Sequence, residues 1–98
     1  MSVYIKVNDP LEIGHILCIL GIAGYDYDSR VNKVHQYIGI NPKLRWINIR
    51  PLPYKQKGEA RKHIDFTTEI KPVWDLLGDP LLIHEYLVGI SNENDQNT

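Results

Sequence analysis

Aromatic, cationic and imidazole side chains recur at alternating positions in this chain of 98 residues: Tyr4 and Lys6, His35 and Tyr37, Trp46 and Arg50, and then His63. A spacing of two puts such residues on one side of an extended strand. Rings displayed on a sheet can stack against bases or other planar groups, while Lys6 and Arg50 can pair with phosphates. Tyr, Trp and Arg are equally the residues that dominate protein–protein contacts. The same rings can also pair across strands and stabilise a sheet with no ligand at all. A second cationic group, Lys55, Lys57, Arg61 and Lys62, falls within 51–62, a stretch with Pro51, Pro53 and Gly58 that reads as a long basic loop.

Other chemistry finds no footing. The 4 histidines, His15, His35, His63 and His84, have no metal-ligand spacing, and the 1 cysteine excludes an internal disulfide and paired-thiol chemistry. Cys18 lies among apolar neighbours and is expected to be buried and inert. Asp26 and Asp28 stand beside tyrosines as loop or capping residues, and Gly21 and Gly24 lack the context of a phosphate-binding loop. No acid, base and nucleophile can be assembled into one set, so an enzyme is not expected, nor a cofactor or metal.

The elements that position these residues follow from local patterns. Residues 3–7 alternate apolar and polar as a half-buried strand does. Asp9 then caps a helix, Pro10 suits its first position, and Glu12 completes an Asp-X-X-Glu capping box. Leu11, Ile13, Ile16, Leu17 and Leu20 run along this helix. Cys18, Ile19 and Ile22 broaden its apolar surface, so burial on most sides is expected. Residues 24–33 read as a polar connector. Residues 35–40 and 44–50 form a hairpin about Asn41-Pro42-Lys43, and 63–67 supply a fourth strand. Pro72 opens a short helix closed by Gly78. Asp79-Pro80 starts another that is expected to end near Val88, with Gly89 as its stop, leaving 91–98 as a disordered polar tail.

The expected fold is α+β: a four-stranded, mainly antiparallel sheet in the chain order β-α-β-β-β-α-α, with helices on one face and one domain over 1–90. Parity assigns Val3, Ile5, Val7, Ile38, Ile40, Ile47, Ile49, Ile64 and Phe66 to the covered face, with Gln36 and Arg45 at its margins. Tyr4, Lys6, His35, Tyr37, Leu44, Trp46, Asn48, Arg50, His63 and Asp65 fall on the other.

Charge is segregated along the chain. Residues 30–63 carry Arg30, Lys33, Lys43, Arg45, Arg50, Lys55, Lys57, Arg61 and Lys62 against Glu59 alone, although the net charge is −1. Such a region steers negatively charged partners, unless the acidic carboxy-terminal third folds back and neutralises it. The longest apolar run, 16–23, is far short of the roughly 20 residues that span a bilayer. The amino terminus has no secretory-signal pattern, so a cytoplasmic protein without membrane contact is expected. These features favour a small non-enzymatic binding protein of inhibitor or accessory type, the kind phages and mobile elements carry. It would dock on a protein or nucleic acid through Tyr4, Lys6, His35, Tyr37, Trp46, Arg50 and His63 together with the basic loop. The alternative is a nucleic-acid or nucleotide-binding module. A two-fold homodimer would use the same aromatic face.

Overall fold

The alternation at the start of the chain becomes a strand whose odd and even residues meet different surroundings. The computed structural model describes residues 2–27, 36–51, 53, 55–56, 59–60 and 62–96, with backbone alone at 55–56, 59–60 and 94–96. In it, β1 (Val3–Lys6) buries Val3 and Ile5 completely and leaves Lys6 exposed. Antiparallel to β1 lies β3 (Tyr37–Asn41), with Val3 opposite Ile40 and Ile5 opposite Ile38. β4 (Trp46–Arg50) follows antiparallel to β3, with Ile38 opposite Ile49 and Ile40 opposite Ile47. One face of the sheet is therefore a continuous layer of β-branched side chains, well suited to a pleated surface.

Both edges are parallel. β2 (Asp26–Tyr27) runs alongside β4, and β7 (Ile64–Asp65) alongside β1, so the strand order is β2-β4-β3-β1-β7. The described sheet is thus five-stranded and mixed, where four mainly antiparallel strands were expected. Each edge strand is two residues long, too short to show a period of two, and the direction of a pairing across a long connection leaves no local trace. The expected basic loop contains a small separate ladder, β5 (Lys55–Gln56) antiparallel to β6 (Glu59–Ala60).

Helix α1 (Pro10–Ile22) starts as its capping residues dictate. The Leu11 N–H donates to Asp9 Oδ1 at 3.0 Å. The Glu12 carboxylate accepts the Thr67 hydroxyl at 2.8 Å, so it ties α1 to a distant segment. Ile13, Ile16 and Leu20 are buried against the sheet, whereas Leu11 (82% exposed), Cys18 and Ile22 (72% exposed) face outward. The expectation of a helix buried on most sides, with an enclosed Cys18, is corrected: a helix in a single layer offers only one stripe to the core, whatever its remaining sides contain.

The strand expected over 63–67 stops at Asp65, because Phe66–Ile70 winds into a π-helical turn in which the Lys71 N–H reaches the Phe66 carbonyl. Its capping is reciprocal: the Thr68 N–H donates to Asp65 Oδ1 at 3.1 Å and the Asp65 N–H to Glu69 Oε2 at 2.9 Å. This is a capping box one residue wider than usual, matching the wider turn. Helix α2 (Lys71–Leu77) ends at Gly78, whose φ of 69° lies in the left-handed region that glycine enters without a Cβ penalty. Asp79 then caps α3 (Pro80–Gln96) through the Leu81 N–H at 2.8 Å.

Gly89 does not end α3. The apolar stripe of Ile83 and Leu87 continues through Ile90, and Ser91 is itself buried, so tertiary packing outweighs the roughly 1 kcal/mol that a helical glycine costs. Residues 91–96, expected as a disordered tail, are part of this helix. Among the described residues no helix is long and apolar enough to cross a membrane.

The helices cover the isoleucine face. At the centre of their packing, Phe66 and Trp74 meet edge-to-face with ring centroids 5.2 Å apart, and His15 lies 6.2 Å from each. Among the described residues Trp74 Nε1 and His15 Nε2 are buried without a hydrogen-bond partner. Trp74→Ala should therefore cost about 3–5 kcal/mol. Trp74→Phe should cost clearly less, because it keeps an aromatic ring and removes an unpaired N–H. Urea midpoints of the two variants check this ordering.

Candidate binding face and the cavity beside α3

The strand register assembles the aromatic face row by row. Asp65, Lys6, Tyr37 and Arg50 align across β7, β1, β3 and β4. The next row sets Tyr4 beside Gly39 and Asn48, and a further one joins Asn41, Trp46 and Asp26. Parity thus sorted Tyr4, Lys6, Tyr37, Trp46, Asn48, Arg50 and Asp65 correctly.

One imidazole ring packs against two tyrosines. His63 meets Tyr37 edge-on at 5.0 Å and Tyr4 at 6.1 Å, and all three are half-buried. Cross-strand aromatic packing therefore stabilises this part of the sheet directly. Trp46 stands apart, 37% exposed, with its Nε1–H donating to Asn48 Oδ1 at 3.0 Å. That bond holds the indole along β4, since residues two apart share a face. Lys6, Arg50 and Lys62 are exposed. Asp65, at the end of the Lys6 row, is held below the usual carboxylate range, first by the Asn8 amide at 2.8 Å and then by the Thr68 N–H.

The other expected site residues are placed differently. His35, Lys57 and Arg61 lie outside the described residues, and Lys55 is described only as backbone of β5. Leu44 and Arg45 belong to neither sheet face. They are part of the turn 42–45, where the Leu44 N–H donates to Asn41 Oδ1 at 3.1 Å and Arg45 has a left-handed φ of 51°. Asn41-Pro42-Lys43 had suggested a shorter turn, but Asn41 pairs with Trp46 as the last rung of the ladder.

Arg45 fastens this turn to the end of α1. Its guanidinium donates to the Ala23 carbonyl, and its own carbonyl accepts the Asp26 N–H at 2.9 Å. Beyond it, the Tyr25 hydroxyl and His84 Nδ1 are 2.6 Å apart, with their rings edge-on at 5.5 Å. Burial pushes the Tyr25 hydroxyl up to about 12, with Arg45 opposing. Burial also lowers His84, the Arg45 charge adding to that effect and Glu85 on the same helix opposing it. Both groups are therefore neutral near pH 7. A half-open cavity of about 450 Å³ lies between the turn and α3, lined by Pro42, Lys43 and Arg45 on one side and His84, Ser91 and Asn92 on the other. Sequence patterns gave no sign of it, because its walls, the 42–45 turn and the 84–92 stretch of α3, lie far apart in the chain. Among the described residues no three His, Cys, Asp or Glu side chains converge as a metal site requires.

No protein-family model, curated protein or solved structure matches this chain.

The Tyr25–His84 pair makes a pH-dependent contribution of definite sign. A histidine whose folded value is depressed stabilises the fold above its unfolded value of about 6.5, and that contribution is lost as pH falls through the folded one. Asp65 acts the same way only within the carboxylate range. Between about pH 7.5 and about pH 5 the urea midpoint should fall in the wild type and fall less steeply in His84→Gln. Equal slopes would remove His84 as the cause.

Proposed function

We propose that this chain is a small non-enzymatic binding protein, of inhibitor or accessory type, that docks on a macromolecule through the sheet face opposite its helices. The observation that carries this reading is the aligned row of Lys6, Tyr37 and Arg50, with Trp46 exposed nearby on the same face. Such a face combines a rigid aromatic anchor with flanking cations, the composition of an interface hot spot. Lys62, next to His63, extends the positive charge, so the partner's surface would be negative.

A protein partner is favoured over a nucleic acid by the way the rings are arranged. His63 meets Tyr37 and Tyr4 edge-to-face, so these rings are engaged with one another, whereas a base-stacking platform needs flat ring faces turned outward. Nucleic-acid or nucleotide binding is the competing outcome, in which Trp46 would stack and the cations would meet phosphates.

The test is capture from a native lysate after nuclease treatment, with the wild type and Trp46→Ala side by side. A protein retained by the wild type and lost by Trp46→Ala supports the reading. The isolated pair should then show at least about thirtyfold weaker binding for the variant, equivalent to about 2 kcal/mol, and slower association at high salt. Loss of every partner on nuclease treatment supports the nucleic-acid alternative. Capture unaffected by Trp46→Ala removes this face from the binding role.

A further inference from the structure

The basic turn and the acidic carboxy-terminal third do meet in space, yet among the described residues no carboxylate pairs with the turn's cations. Lys43 and Arg45 face α3 across the cavity, and the α3 residues that line it are His84, Val88, Ser91 and Asn92. These follow a spacing of four, three and one, which is a single helical face, and none of these four lining residues is a carboxylate. Glu85 lies beside His84 without lining the cavity, and Glu93 follows Asn92. Among the described residues neither Lys43 nor Arg45 forms an ion pair.

The polar groups among the remaining lining residues can all donate hydrogen bonds. Arg45 gives one N–H to the Ala23 carbonyl, which orients the guanidinium, and among the described residues its other N–H groups are left available. With the Tyr25 hydroxyl donating to His84 Nδ1, the neutral imidazole carries its proton on Nε2. Ser91 adds a hydroxyl and Asn92 an amide, while Pro42 and Val88 supply an apolar wall. A carboxylate offers two oxygens and one charge. A phosphate monoester offers three terminal oxygens and up to two charges, which matches two cations and several neutral donors more closely. A cavity of about 450 Å³ also exceeds what a bare ion fills and falls within the range of small-molecule sites.

We propose that the cavity between the 42–45 turn and α3 binds a small phosphate monoester, with Lys43 and Arg45 pairing with its phosphate and Ser91 and Asn92 bonding its polar groups. The site is separate from the aromatic face, so its occupancy and the docking reading succeed or fail independently.

Ribose 5-phosphate is the probe, titrated into the full chain and followed by amide and His84 side-chain NMR shifts, with ribose and gluconate as controls. Shifts confined to 42–45 and to 84–92 are expected, saturating with a dissociation constant below about 1 mM, with none from ribose. Lys43→Gln should weaken binding at least about tenfold while leaving the urea midpoint unchanged, since among the described residues the Lys43 side chain makes no bond that holds the fold. No shifts up to about 10 mM, equal shifts from ribose, or binding insensitive to Lys43→Gln would overturn the site. Gluconate binding as tightly as ribose 5-phosphate would overturn the phosphate assignment.

Discussion

Ile5 is where the two kinds of pairing in this sheet meet. It lies opposite Ile38 on the antiparallel side and Ile64 on the parallel side, and it is completely buried. Each side chain of β1 takes its surroundings from this register. Odd residues join the isoleucine layer beneath the helices, while Tyr4 and Lys6 join the rings and cations on the opposite face. A slip of one residue would exchange the two sets, placing Lys6 under α1 and α3 and exposing Val3 and Ile5. The desolvation of a buried lysine makes that alternative untenable, so the apolar core and the aromatic face are specified by the same constraint.

The two chemically distinct surfaces also share one hairpin. Its strands carry Tyr37, Trp46 and Arg50 on the sheet face, and its turn carries Lys43 and Arg45 towards α3. The bond from Arg45 to Ala23 anchors the turn to the end of α1, just where β2 begins. Positive charge close together in the chain is thereby divided between opposite sides of the sheet.

What was legible in the sequence was local. Asp9 and Asp79 marked two helix starts, Gly78 a helix end, and the period of two separated the faces of β1, β3 and β4. These features depend on neighbours within about four residues, the range over which capping and alternation act. Misreadings arose where a distant contact overrides the local signal. Ile90 and the buried Ser91 carry α3 past Gly89, and a single covering layer leaves Leu11, Cys18 and Ile22 outside. The cluster of Tyr25, Arg45 and His84 was invisible for the same reason. Each residue alone is ordinary, and only the closing of the turn against α3 gives them a shared environment.

The outermost strands, β2 and β7, are two residues long. A sheet edge recruits another chain by offering a row of unmet backbone donors and acceptors, and the strength of that invitation grows with the length of the row. Among the described residues each row is too brief for an extended peptide to register against. Among the described residues the margins are thus poorly suited to strand addition, and the proposed contacts fall to side chains: the rings and cations of one surface, and the polar hollow behind the hairpin turn.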